Sequence, residues 1–142
     1  MIFNTTYNNK DYDKESNIVL GEKHSIFKRL KMGGIGSGRL FISNLSENLS
    51  LGKIKFSEID YANIELRPKG IIVHYTNKLE RFSWLIPYYR LVFYNTDFFS
   101  IHSNGSFINF TKNKNYSENK KFIKKINKFK NEFLGGTYYD SL

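Results

Sequence analysis

Between Arg81 and Phe110 the chain reads RFSWLIPYYRLVFYNTDFFSIHSNGSFINF. Ten of these residues are aromatic: Phe82, Trp84, Tyr88, Tyr89, Phe93, Tyr94, Phe98, Phe99, Phe107 and Phe110. Aromatic and β-branched side chains pack best on a pleated surface, so the stretch favours strands. Its punctuation says where they turn. Asn104-Gly105 separates FFSIH from FINF, and Asn-Gly suits a tight hairpin whose two central residues need positive φ. Asn95-Thr96-Asp97 marks a second, looser turn. Pro87 has no N–H to give a ladder, so a strand must bend, bulge or restart there. The segment therefore predicts a meander of three or four short strands. Beyond Pro87, alternation puts Tyr89, Leu91 and Phe93 on a core face. Tyr88, Arg90 and Tyr94 are left on the opposite face as a candidate recognition set.

The remaining chain continues this pattern. Gly38 to Ser43 alternates as a strand, and Asn44 to Asn48 reads as a polar turn. Asn48 to Leu51 reads as a short strand stopped by Gly52. Ile54, Phe56 and Ile59 lead through a turn at Ser57 to Asp60 into a strand from Tyr61 to Leu66. Arg67-Pro68-Lys69-Gly70 turns into Ile71 to Thr76, and Asn77-Lys78 turns into Glu80 to Ile86. Ser117 to Leu134 is different. Phe122, Ile126, Phe129 and Phe133 recur at helical spacing, with Lys120, Lys121, Lys124, Lys125 and Lys128 outside them. Ser117 is the expected N-cap and Gly135-Gly136 the stop. For residues 24–32 the pattern leaves helix and strand both open. Residues 1–17 are polar and predict a loosely held arm, with a strand through Ile2 and Phe3 as the weaker reading. Residues 18–134 form one domain, and residues 135–142 a short tail.

Composition narrows the chemistry. There is no cysteine, which excludes disulfides, thiolate catalysis and cysteine-ligated zinc. The start lacks a basic region followed by an apolar run, and no apolar run is long enough to span a bilayer. These features suit a cytoplasmic protein, with a membrane-peripheral one as the alternative. The net charge is +9, yet only five of 22 basic residues are Arg. Lysine-rich charge points less to base or phosphate readout than arginine forks would. His24, His74 and His102 have no ligand-like neighbours, so no metal is expected. Among the acids from Glu22 to Asp97 no pair has acid–base spacing, and no serine sits in a nucleophile elbow. Met32 to Gly38, MGGIGSG, lacks the Gly-Lys-Ser/Thr of a P-loop and the spacing of a dinucleotide fingerprint. A hinge or hairpin loop is the expectation. An enzyme is therefore not expected.

The order is mainly β, about seven short antiparallel strands and then one C-terminal amphipathic helix. Gly38-Arg39-Leu40-Phe41-Ile42-Ser43 opens it, followed by Leu49/Leu51 and Phe56/Ile59. In this the chain resembles the pleckstrin-homology (PH) superfold, in particular its GRAM and bacterial PH-like branches, over residues 36 to 134. The resemblance implies a bent, seven-stranded antiparallel barrel capped by the helix, with Phe122, Ile126, Phe129 and Phe133 as the plug. It implies a binding module without cofactor. A protein partner is the first expectation, an anionic lipid headgroup the second, and non-specific nucleic acid the third. The lipid branch usually carries basic residues in the loop joining the first two strands, whereas Asn44 to Asn48 offers Glu47 and no cation. If residues 26–31 were instead the first strand, the glycine loop would be flanked by Lys28, Arg29, Lys31 and Arg39 and could hold an anion.

Overall fold

The computed structural model describes residues 1–50, 60–77 and 79–135. The expected features at Leu51, Gly52, Ile54, Phe56, Ser57 and Ile59, at Lys78, and in the tail beyond Gly135 lie outside the described residues.

Among the described residues eight strands form one antiparallel sheet: β1 (Ile2–Asn4), β2 (Leu40–Leu45), β3 (Tyr61–Arg67), β4 (Gly70–Asn77), β5 (Glu80–Pro87), β6 (Val92–Asn95), β7 (Phe99–Ser103) and β8 (Ser106–Phe110). Their order is β1-β5-β4-β3-β2-β8-β7-β6. β2 to β5 make one meander and β6 to β8 a second. β2 joins them: Leu40 and Phe41 pair with β3, whereas Ile42 to Leu45 pair with β8 across a register shift. Such an irregularity bends the strand and lets it serve two directions. Among the described residues the sheet stays open, with β1 and β6 at its edges.

Local chemistry accounts for the turns. Asn104 and Gly105 have φ of 51° and 84°, the two positive values the Asn-Gly hairpin requires. β5 ends on Pro87, and a single 3-10 turn, Tyr88–Arg90, follows. That turn corrects the expected alternation. Its period of about three residues places Tyr88 and Leu91 together in the core and turns Tyr89 outward. The strand expected from Asn48 is also corrected as far as Ser50. Glu47–Ser50 is a short helix, α3 in chain order, tied to β8 by the Asn48 amide donating to Ser106 Oγ.

The expected loose arm is structured. β1 pairs with β5, and Lys10–Leu20 forms helix α1. Asn9 caps it by accepting from the Tyr12 N–H, Asp11 and Asp13 occupy the first turn, and Gly21 ends it with φ of 80°. Residues 24–32 resolve as helix α2 (Ile26–Met32), capped by Ser25 and closed by left-handed Gly33. The last helix starts differently from expectation. Lys114–Glu118 (α4) is capped by Asn113, not Ser117, and Asn119 separates it from α5 (Lys120–Phe133).

Two cores follow from this arrangement. The larger lies inside the bend and includes Leu40, Ile64, Ile71, Val73, Tyr75, Trp84, Ile86, Tyr88, Ile101 and Phe110. Ile126 of α5 is buried in it, with Phe122, Ile123 and Phe129 packed alongside. The smaller lies on the outer face, where Leu20 of α1 meets Ile72 and Leu85, flanked by Phe3, Tyr12 and Val19. β4 and β5 are therefore covered on both sides, which is why Ile71-Ile72-Val73 and Trp84-Leu85-Ile86 read as unbroken apolar runs.

Candidate functional site

The densest polar constellation lies on the outer face of β3, β4 and β5, beneath α1 and beside the edge strand β1. Glu65 and Arg67 are two residues apart on β3 and so share a face. Arg67 is 2% exposed, and each of its three guanidinium nitrogens donates a hydrogen bond. Nε donates to Glu65 Oε2 at 2.6 Å, Nη1 to Gly21 O at 2.6 Å and to Asn17 Oδ1, and Nη2 to Ser16 Oγ. Glu65 Oε1 lies 3.1 Å from His74 Nε2. His74 Nδ1 lies 2.7 Å from Ser83 Oγ, and Ser83 Oγ lies 2.8 Å from Thr5 Oγ1. Against an ionised Glu65, Nε2 carries a proton; in the neutral ring Nδ1 then accepts from the Ser83 hydroxyl. Burial alone would push the Glu65 carboxyl up. Hydrogen bonds from His74 and Arg67, together with the guanidinium charge, outweigh it and hold the group at about 2.

Carboxylate, imidazole and hydroxyl in line is the connectivity of a nucleophile relay. Its surroundings argue for another role. Ser83 is fully buried in β5, between β1 and β4, and its hydroxyl is already hydrogen-bonded to Thr5 of the N-terminal segment. Tyr12 lies edge-on to His74 with ring centres 6.5 Å apart. The network fastens α1 and β1 to the sheet. Glu65-x-Arg67 on a strand was the sequence signal that could have disclosed its core; the partners from α1 and β5 were too distant in sequence to pair by inspection.

The residues singled out from sequence are dispersed. Lys28 and Lys31 are exposed on α2, while Arg29 turns inward and donates through Nε to His24 O at 2.8 Å. Arg39 lies 4.3 Å over the Tyr61 ring. The loop register that would have gathered these four around an anion does not form, because residues 26–32 are helical. Four of the glycine-loop amides are also occupied. Gly33 and Gly34 donate to the carbonyls of Leu30 and Arg29, Ser37 to Ile64 O, and Gly38 to Asn119 Oδ1.

Tyr88 is buried and donates its hydroxyl to Arg67 O at 2.9 Å, so it cannot join a surface with Tyr94. Arg90 is exposed and borders a cleft of about 400 Å³ together with Trp84, Tyr89 and Asn104. Tyr94 is 52% exposed on β6 and meets His102 edge-on at 4.6 Å; His102 in turn stacks on Phe107 at 5.5 Å. These three rings run across β6, β7 and β8 on the outer face. They end at β6, whose far edge has no strand partner among the described residues.

No group of three or more potential metal ligands occurs among the described residues, and none of their helices is long and apolar enough to cross a membrane. Compared with known proteins, the chain matches no family model, no curated protein and no solved structure.

Proposed function

We propose that the chain is a non-enzymatic, PH-like binding module that captures an extended segment of a partner protein along β6. The observation that carries this reading is the unpaired edge of β6. An open edge presents free N–H and C=O groups that an extended peptide can complete, with alternate side chains supplying specificity. Natural edge strands are usually blunted by lysine, proline or a bulge. Val92-Phe93-Tyr94-Asn95 carries neither residue, and Val92 and Tyr94 stand exposed beside it. The PH-like assignment is supported by the strand order: a four-strand meander, a three-strand meander returning to the first, and a closing helix that sets its apolar stripe into the bend. The enclosed setting of Ser83 favours binding over catalysis.

Panning a random peptide library against the chain tests the reading. Selected peptides should perturb the backbone amide resonances of Val92 to Asn95 and lose affinity to the Tyr94→Lys variant by about tenfold or more, the loss usual for an aromatic contact at the centre of an interface. Stability should fall by no more than about 1.5 kcal/mol, the worth of the edge-on contact with His102 that the half-exposed ring gives up. Peptides that bind the variant equally well, or shift only distant amides, would assign recognition to another surface.

A further inference from the structure

α2 is turned inside out relative to an ordinary surface helix. Ile26, Phe27 and Leu30 are 72%, 82% and 75% exposed. The helix is held by its other side. Met32 packs on the main core, and Arg29 reaches back to the His24 carbonyl. His24 is buried with its ring 6.3 Å from that of Phe129 on α5. Lys125 donates from α5 to the Gly34 carbonyl just past the helix end. The three apolar side chains therefore project outward from a helix whose position the fold determines. Lys23, Lys28 and Lys31 are exposed around them, and the adjoining helix exposes Lys121, Lys124 and Lys128. Glu22 and Glu132 are the exposed carboxylates on these two segments, so cations prevail.

We propose that α2 is a membrane-surface anchor, which sinks Ile26, Phe27 and Leu30 into the interfacial layer of an anionic lipid bilayer while the surrounding lysines meet the headgroups. The chemistry is that of an interfacial helix, apolar side chains framed by lysine. Shape favours lipid over a partner protein. Protein contacts concentrate their affinity in pockets and grooves, whereas these side chains stand proud of the surface and suit a soft, planar medium. Lysine also suits the role, because its long stem follows the apolar layer while the ammonium stays among the phosphates. This inference goes beyond strand capture at β6 and uses a different element.

Sedimentation of the full chain with phosphatidylcholine vesicles, with and without phosphatidylserine, tests it. The chain should pellet with phosphatidylserine vesicles, remain in the supernatant with phosphatidylcholine alone, and be released as salt rises. Phe27→Ser should lower the bound fraction by about tenfold or more, as expected when a buried ring is withdrawn from an apolar layer. Lys28→Ala with Lys31→Ala should weaken binding and flatten its salt dependence. Neither change should alter the melting temperature, since the replaced side chains are exposed. In Phe27→Trp, the new emission should shift to the blue on adding phosphatidylserine vesicles, above the constant signal of buried Trp84. Failure of the parent chain to pellet would overturn the proposal, as would pelleting that Phe27→Ser leaves intact. A concentration-dependent dimer abolished by Phe27→Ser, without vesicle binding, would give α2 to a second copy of the chain. Each of these results leaves the β6 reading to be judged by Tyr94→Lys alone.

Discussion

The Arg67 guanidinium is 2% exposed, so its carboxylate partner cannot be removed without leaving a buried cation unpaired. Glu65→Gln should therefore cost about 3–5 kcal/mol in denaturant unfolding, the range for breaking a buried ion pair from one side. The same carboxylate sets an acid limit. Its folded value of about 2 lies below the ordinary 4.5, so the unfolded chain binds the proton first as pH falls. The stability it lends is complete above about pH 5 and drains away as pH drops toward about 2, a loss of about 3 kcal/mol. Unfolding free energies across that range should show the slope in the parent and a shallower one in Glu65→Gln. His24 adds a milder trend of the same sign. Burial, then the nearby Lys28, Arg29 and Arg67, depress its basicity, so protonation below its ordinary range favours the unfolded chain. At this scale the sequence was partly legible. Glu65 and Arg67 share a strand face by simple counting, but His74 and Ser83 join them only through the registers of β4 and β5. Tyr88 and Tyr89 were read in the wrong phase because a 3-10 turn intervenes where strict alternation was assumed.

α1 shows how weak propensity can be overruled. Its sequence, KDYDKESNIVL, is polar, and Ile18 stays exposed. What secures it is its contact with the sheet: Leu20 is fully buried against Ile72 and Leu85, Tyr12 packs beside them, and Ser16 and Asn17 hold Arg67. Leu20→Ala should cost about 2–5 kcal/mol, the range for such truncations in a core. Amides of α1 should then exchange faster than those of α5, which does not touch that cluster; equal acceleration in both helices would mean that α1 is not a separate unit. Gly70 is a second test of element packing. A Cβ there would lie 2.2 Å from the Ile86 carbonyl oxygen and 2.7 Å from Leu20 Cδ2. Gly70→Ala must part the start of β4 from the end of β5, where Gly70 faces Pro87, and should cost about 3 kcal/mol or more, with melting as the measurement. α5 was the most legible element, since its apolar spacing needs no partner to be recognised. Its start was misread because Asn119 is not just another helical residue. It accepts from Gly38 N at 2.9 Å and donates to Arg39 O and Asn115 O, joining two helices to the approach to β2.

For the molecule as a whole, the best-packed strands and the two surfaces proposed for recognition separate in space. β3, β4 and β5 form the longest ladders, and β4 and β5 are packed on both faces. β6 and α2 lie at the margins and expose their apolar side chains. Backbone amides from Ile71 to Tyr75 should be the slowest to exchange, near the global unfolding limit, and those of Val92 to Asn95 and of α2 much faster. Hydrogen exchange resolved by residue checks this; a β6 as protected as β4 would speak against an edge available to a partner. Much of the architecture followed from the sequence alone. Short alternating runs, Asn-Gly and Pro-Lys turns, the stop at Pro87 and the stripe on the last helix are local features, and local sterics and periodicity suffice to produce them. The tertiary structure alone decided which strands meet, because pairing depends on the net burial of distant segments. β2 turns from β3 to β8, and the first residues add a strand to β5 for that reason. It alone placed α1 over the outer face and left α2 with its apolar side exposed. Helical spacing identifies an apolar stripe, but only the position of Met32, His24 and Lys125 against the rest of the fold determines whether that stripe meets the core or the solvent.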